Sequence, residues 1–464
     1  MLFNGLSKIS APLSVNLEVT DKCNLSCSFC FNAAPAYEDL MQSSTLHQDQ
    51  KNKSLNLKMV RNDDLMNTKK ERLLRILDVL AEAGVFQIRL FGGEFTVFKA
   101  WREVLKYAHE KRFLISFVSN GFLLDEEDVE LLSKYGVKDC TISVHGPAEV
   151  HDRITRVRGS FDRAMRSFKL LEERGITVSI AYTPIVENLK HVYNFVELLK
   201  TKYEVKHFSI SRLFNDNRYK HLKLSDYHYL LREIEKCHLQ LGVNISLADS
   251  FPRCQVPVKH WRYLSYCSQG VGFAQVDFNG NLKHCSATSK PIGNLLESSV
   301  QDLWVEKLEA ARKLDHLPKS CKICPIFCGG GCTVSRGVDH QFAPDEFIPW
   351  PMDEGWIDAI LKAGFNRIRR IIFSIFYSNQ KEFSKISIPI YPKVGQRYRI
   401  RKESENVYLC MLEGSGTKSL SALGAHVLAL LTGEHTLDSI MEDCRMSFPR
   451  CTRQEVEDTV RSLL

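Results

Sequence analysis

The chain reads first as short apolar runs separated by amphipathic stretches. Residues 13–20, Leu-Ser-Val-Asn-Leu-Glu-Val-Thr, alternate apolar and polar side chains, the period of a strand. Strand character recurs at 87–91, 114–119, 140–144, 178–183 and 207–211. Helical patterns lie between, at about 99–111, 126–135, 162–174 and 189–203. An earlier helix starts near Lys69, puts Leu73, Ile76, Leu77 and Leu80 on one face, and stops at Gly84. Six alternations of strand and helix predict a parallel sheet with right-handed crossovers. A helix at 224–241 and a strand at 243–248 are expected to end this unit. Periodicity alone fits a barrel and a flat, doubly wound sheet equally.

Residues 32–67 are polar and long for a strand–helix connection, and are expected to form a lid or an ordered insertion. Just before them, past the C-terminal end of the first strand, stand Cys23, Cys27 and Cys30 in a C-x3-C-x2-C pattern. Parallel α/β folds keep their active sites at that end of the strands. Three thiolates in so short a loop suit zinc or an iron–sulfur cluster. A structural zinc closes with four ligands, and the nearest further candidate is His47. Three ligands leave one metal position open for chemistry.

Composition narrows the class. The 464 residues are 44% hydrophobic and 25% charged, as in soluble globular proteins, with a mild net charge of +7. No signal peptide and no membrane-spanning run is visible, so a cytoplasmic location is expected. In such a chain, fifteen cysteines favour metal binding over disulfides.

With Phe29 before its last cysteine, the loop resembles that of the radical S-adenosylmethionine (SAM) enzymes. The resemblance implies a partial (β/α)6 barrel and a [4Fe–4S] cluster on Cys23, Cys27 and Cys30. It implies SAM on the cluster's unique iron, and reductive cleavage of SAM to a 5′-deoxyadenosyl radical that abstracts hydrogen. Phe91-Gly-Gly-Glu94 then matches the motif that holds the SAM amino group, through Gly92, Gly93 and Glu94. Ser119-Asn120-Gly121 resembles the family's Thr-Asn-Gly, and the resemblance implies that Ser143 contacts the SAM carboxylate or ribose. His145, where relatives carry aspartate, receives no role.

A second cysteine field begins at Cys267, followed by Gly280 and Cys285, then Cys321, Cys324, Cys328 and Cys332. Four cysteines within twelve residues, with three glycines, do not suit a packed helix or strand. The pattern resembles the SPASM extension of radical SAM enzymes, which binds auxiliary iron–sulfur clusters. It departs in one spacing and in lacking a cysteine soon after Cys332. By resemblance Cys267, Cys285 and Cys332 belong to a first auxiliary cluster, and Cys321, Cys324 and Cys328 to a second. Fourth ligands stay open: Cys254 for the first; Asp345, Glu346 or His340 for the second. Cys140, Cys237, Cys444 and Cys451 read as core or surface thiols.

Residues 361–377 form a basic, aromatic-rich helical pattern, expected to pack on the protein itself. Beyond it, two or three strands and three helices (419–431, 436–446, 452–464) suggest a winged-helix-like α+β domain. It resembles the peptide chaperone of pyrroloquinoline quinone biosynthesis (PqqD), which grips leader peptides. The expected organisation is a barrel at 1–250, a SPASM domain at 251–350, a helical linker at 351–387 and a PqqD-like domain at 388–464. The resemblance implies a maturase of a ribosomally made precursor peptide with a leader, fed by an electron donor such as flavodoxin or ferredoxin. Two alternatives are a radical SAM enzyme acting on a folded protein or small molecule, and a non-catalytic iron–sulfur or zinc protein that binds nucleic acid. Lys and Arg are not concentrated on the last helices as phosphate contacts require, so no nucleic-acid partner is expected.

Overall fold

A computed structural model describes residues 9–30, 51–213, 221–288, 290–312, 316–318, 321, 328–336, 343–348, 398–404, 407–412, 416–449 and 451–463. The chain divides into two units, Met1–Pro349 and Trp350–Leu464. In the first, β1 (Ser14–Glu18) leads to α1 (Lys51–Glu82), β2 (Gln87–Phe91), α2 (Trp101–Glu110), β3 (Leu114–Ser119) and α3 (Glu126–Lys134). Then come β4 (Asp139–Ser143), α4 (Ala148–Thr155), α5 (Ser160–Glu173), β5 (Thr177–Tyr182), α6 (Val192–Tyr203), β6 (His207–Ile210), α7 (Leu224–Leu241) and β7 (Asn244–Leu247). Three more strands complete the sheet: β8 (Phe273–Val276), β9 (Asn281–Lys283) and β10 (Gly293–Asn294).

The sheet order is β10-β9-β8-β1-β2-β3-β4-β5-β6-β7. The expected parallel α/β core is present and larger than six strands. β7 adds in parallel beside β6, and β8, from the second cysteine field, adds in parallel beside β1. No local pattern announces the second pairing, because its partners are remote in sequence. Helix α1 starts at Lys51, not near Lys69. Its first turns lack an apolar stripe, but residues 51–82 contain neither glycine nor proline to stop a helix.

Strand alternation sorts the two faces of this sheet. Val15, Leu17, Ile88, Leu90 and Phe117 are fully buried on the face that carries the helices. The opposite face presents Asn16, Glu18, Arg89, Ser116, Asp139 and Thr141, in register across β1 to β4. This face of the sheet is therefore polar, and the strand ends at β1, β2 and β3 carry the cysteine loop, Gly-Gly-Glu and Asn120.

In the second unit, β11 (Tyr398–Ser404), β12 (Val407–Leu412) and β13 (Gly416–Leu420) form an antiparallel sheet with β12 central. Helices α8 (Ala422–Leu430), α9 (Leu437–Ser447) and α10 (Arg453–Leu463) follow. Ser421 and Thr436 cap α8 and α9 by accepting from Gly424 and Ser439 N–H. Cys410, Val427, Ile440, Cys444, Val456 and Val460 make the core. The sequence left the strand count at two or three, and the structure has three; the basic stretch at 361–377 lies outside the described residues. Among the described residues no helix is long and apolar enough to cross a membrane.

Candidate functional site

The cysteine loop continues β1 and is held on both sides by backbone hydrogen bonds. Val19 N–H donates to Phe91 O at 3.0 Å, Gly93 N–H to Thr20 O at 2.8 Å and Glu94 N–H to Lys22 O at 2.8 Å. The β1–β2 pairing thus runs past the strand ends into the loop. On the other side, Ser26 and Ser28 N–H donate to Thr155 O and Ile154 O, at the C-terminus of α4, at 3.1 and 2.8 Å. The His151–Asp152 stretch supports that helix end. Asp152 accepts from Gly159 N–H, Ser160 Oγ–H and Phe161 N–H at 2.6–2.9 Å, capping α5.

The three thiols are electrostatic neighbours: Cys23 and Cys30 each act on Cys27, and Cys30 acts on Cys23. Burial pushes the Cys23 thiol up to about 12 and Cys27 higher still. Metal-free, these sulfurs stay protonated, and binding a metal must expel their protons. Leu25 N–H and Asn120 Nδ2 donate to Cys23 Sγ at 3.4 and 3.7 Å. Among the described residues no three Cys, His, Asp or Glu side chains are arranged to hold a single metal ion. A cubane instead takes one thiolate per iron, from a wider donor set. Three adjacent thiols on a loop braced by backbone hydrogen bonds fit such a group.

Gly92 and Gly93 are required by the loop itself. A Cβ on Gly92 would stand 2.3 Å from Thr20 O, and one on Gly93 2.3 Å from Lys22 O. Only glycine allows these two backbones to lie together. Glu94, expected to offer its carboxylate to an ammonium, is only 1% exposed. Its Oε1 accepts from Thr96 N–H, Thr96 Oγ–H and Ser119 Oγ–H at 3.2, 2.8 and 3.0 Å, and Oε2 from Asn120 N–H at 2.7 Å. The carboxylate ties the end of β2 to the end of β3. Burial raises its pKa, against those four donors. Asn120 closes the circuit: its Nδ2 donates to Asn24 Oδ1 at 2.8 Å, inside the cysteine loop. Ser143 ends β4, half-buried, on the same polar face.

His145 is neutral, its pKa pulled down by burial. Its Nδ1 accepts from Thr183 N–H at 3.2 Å, and its ring meets Phe29 edge-on at 4.7 Å. It thus backs the residue between Cys27 and Cys30. Glu18 is a residue that the motifs did not single out. It lies on the polar face, two positions before Thr20, and burial pushes its carboxyl up to about 7. The signal was present in the alternation that puts Ser14, Asn16 and Glu18 on one face. Lower on that face a cavity of about 410 Å³ is lined by Arg89, Asp139, Thr141, Ser179, His207 and Ser246.

The second field is partly assembled. Cys267, Cys285 and Cys332 influence one another electrostatically, and burial raises all three thiols, Cys267 and Cys285 to about 12. Cys285 and Cys332 pack in one cluster with Ala287 and Val334. Cys321 and Cys328 are partly exposed, and Cys324 and His340 lie outside the described residues. Asp345, a candidate fourth ligand, is spent elsewhere. Its carboxylate accepts from Arg212 Nη1 at 2.5 Å, Cys332 N–H at 2.7 Å and Phe347 N–H at 3.0 Å. Glu346 also faces Arg212, at 3.3 Å.

Comparison with known proteins agrees with this geometry. Residues 17–199 match the Radical SAM superfamily. The sporulation killing factor maturation protein SkfB of Bacillus subtilis (strain 168) is 24% identical over 304 residues, 63% of this chain and 64% of SkfB. The match therefore spans just under two thirds of that relative's length. The antilisterial bacteriocin subtilosin biosynthesis protein AlbA of the same organism is 23% identical over 372 residues, 77% of this chain and 75% of AlbA. Among solved structures, Streptococcus suis SuiB bound to S-adenosylmethionine superposes with a TM-score of 0.55 at 18% identity. The superposition covers 74% of this chain and 79% of SuiB. Residues 17–199, which hold the three-cysteine loop and the strands up to β5, are thus a radical SAM domain, and that family works with a [4Fe–4S] cluster and SAM.

Proposed function

We propose that this protein modifies a ribosomally made precursor peptide by hydrogen abstraction, with a crosslink as the expected product. The observation that carries the reading is the Cys23–Cys27–Cys30 loop, locked by backbone bonds between the ends of β1, β2 and α4. When bound, the cluster and SAM supply the 5′-deoxyadenosyl radical. The chain's own residues do the rest. Cys23, Cys27 and Cys30 hold the cluster. The backbone at Gly92–Gly93, the Asn120 side chain and Ser143 border the place for SAM, and Glu94 positions them. Cys267, Cys285 and Cys332, with Cys321, Cys324 and Cys328, hold auxiliary clusters of the SPASM type, and a flavodoxin or ferredoxin supplies electrons. The site of action is the cytoplasm, where a ribosomal peptide is first available.

The peptide substrate is supported by the relatives. SkfB is a maturation protein for a killing factor, AlbA serves subtilosin biosynthesis, and SuiB has been solved with its precursor peptide SuiA. The second unit suits leader recognition. A flexible leader pays an ordering cost on binding, which a sheet edge offsets through main-chain hydrogen bonds. Among the described residues, β11 and β13 are the edges of the three-stranded sheet, and Tyr398 and Ile400 on β11 are exposed. The test removes residues 388–464 and follows 5′-deoxyadenosine beside peptide conversion by mass spectrometry. The truncated protein should still cleave SAM but convert its peptide far more slowly, with partial rescue at high peptide concentration. Unchanged conversion at low peptide would remove the leader-binding role.

A further inference from the structure

The end of β6 carries a buried cation that the radical chemistry does not call for. Arg212 is 1% exposed along its side chain and its partner Asp345 is 0% exposed. Its guanidinium donates to Asp345 Oδ2 at 2.5 Å and to Ser250 O at 2.9 Å, and reaches Glu346 Oε1 at 3.3 Å. The rings of Tyr227, Phe251 and Phe347 surround it at 5.5, 4.8 and 5.4 Å from their centroids. A buried ion pair is an expensive way to gain stability, since well-packed apolar groups do as well or better. In an aromatic box of low polarity, however, its charge acts at longer range than in water.

What lies within that range is Cys332. The Asp345 carboxylate that Arg212 grips also accepts from Cys332 N–H at 2.7 Å. It fills the space beside Gly331, where a Cβ would stand 2.4 Å from Oδ2. The backbone N–H of Arg212 donates to Asp249 Oδ2 at 2.7 Å. Arg212 and Asp249 both act electrostatically on Cys332, and Asp249 on Cys267 and Cys285 as well. One arginine therefore fastens the Cys332 loop to a strand end of the barrel and places a positive charge beside the three-cysteine group.

We propose that Arg212 is the positioning residue of the auxiliary centre: with Asp345 it fixes the Cys332 loop, and its charge raises the centre's reduction potential. The proposal rests on the reading of Cys267, Cys285 and Cys332 as cluster ligands. Reduction adds a negative charge, which a neighbouring cation favours, and cluster potentials follow net charge and hydrogen bonding. Two substitutions must then act with opposite sign. Arg212→Gln leaves Asp345 and Asp249 uncompensated and lowers the potential. Asp345→Asn keeps the arginine, removes a negative charge and raises it.

The experiment is an anaerobic redox titration of full-length, reconstituted protein, followed by electron paramagnetic resonance. The signal followed is the one that survives replacement of Cys23, Cys27 and Cys30 and is lost on further replacement of Cys267, Cys285 and Cys332. In Arg212→Gln its midpoint should fall by about 59 mV or more, a tenfold change in the oxidised-to-reduced ratio of a one-electron couple. In Asp345→Asn it should rise, and in Arg212→Lys, which keeps the charge, it should stay near the wild-type value. Should Arg212→Gln lose the centre, the Asp345→Asn shift decides: upward supports the proposal, none overturns it. Equal potentials in all variants, or shifts of one sign, overturn it. Absence of that signal from the protein lacking Cys23, Cys27 and Cys30 overturns instead the auxiliary-cluster reading beneath it.

Discussion

The two cysteine groups of the first unit are held in place by different physics. Cys23, Cys27 and Cys30 sit on a loop fixed by backbone hydrogen bonds to β2 and α4, reinforced by two glycines and one buried carboxylate. Cys332 reaches Cys267 and Cys285 through a side-chain ion pair between residues 133 apart in sequence. A loop held by main chain tolerates exchange of most side chains. A loop held by one buried ion pair depends on both partners, since removing either leaves a charge unpaired in the interior. The first arrangement suits a centre that must present an open coordination position in one place. The second suits a centre whose surroundings are tuned residue by residue.

The sharpest break in that comparison is to delete the first group of thiols. Replacing Cys23, Cys27 and Cys30 with Ala should abolish 5′-deoxyadenosine formation, read by chromatography, while iron remains at the second field. Cleavage at the wild-type rate would refute the assignment. Next in size is Gly93→Ala, whose Cβ meets backbone oxygens of Lys22 and Asp21 at 2.3 and 2.7 Å. The loop must shift, so SAM cleavage should fall at least about tenfold, with loss of up to the ~4 iron atoms of one cubane. Normal iron content and rate would show that the loop has room to give.

A smaller effect is expected from Glu94→Ala. It removes the acceptor of the part-buried N–H groups of Thr96 and Asn120. At about 1–3 kcal/mol for each unsatisfied donor, the first unit should lose about 2–6 kcal/mol in denaturant titration. A loss below 1 kcal/mol would mean that water replaces the carboxylate.

The smallest is a pH effect on the neutral histidines behind the loop. Burial lowers His151 to about 4 from an ordinary 6.5, and lowers His145 as well. The unfolded chain takes up these protons first, so stability is unaffected above about pH 7 and falls as pH drops below about 6.5. For His151 alone the loss should reach about 2 kcal/mol at pH 5. Thermal melts across pH 5–7.5 check this, and His151→Asn should show a shallower fall. Equal slopes would mean that the proton finds its way in without cost.

Much of this protein was legible in its residues. Alternation and helical period located the strands β1 to β6 and the helices α2, α3 and α5 to within a residue or two, because those patterns are local; the start of α1 and the short α4 escaped them. The cysteine spacing, Gly-Gly-Glu and Asn120 were visible as motifs, and the structure brings the loop, the glycines and Asn120 together. Three things were not visible. The inward use of Glu94 depends on donors from β3, which only the β2–β3 pairing brings within reach. The place of β8 beside β1 is a contact between distant segments, with no periodic trace in either. The pairing of Arg212 with Asp345 joins a residue that no motif singled out to one that the sequence offered only as a candidate cluster ligand. Sequence alone therefore determined the local elements and the chemistry-bearing motifs, whose signals repeat over a few residues. Tertiary structure alone decided which buried charges and hydrogen bonds serve those motifs, because burial and partnership are properties of remote segments brought together by folding.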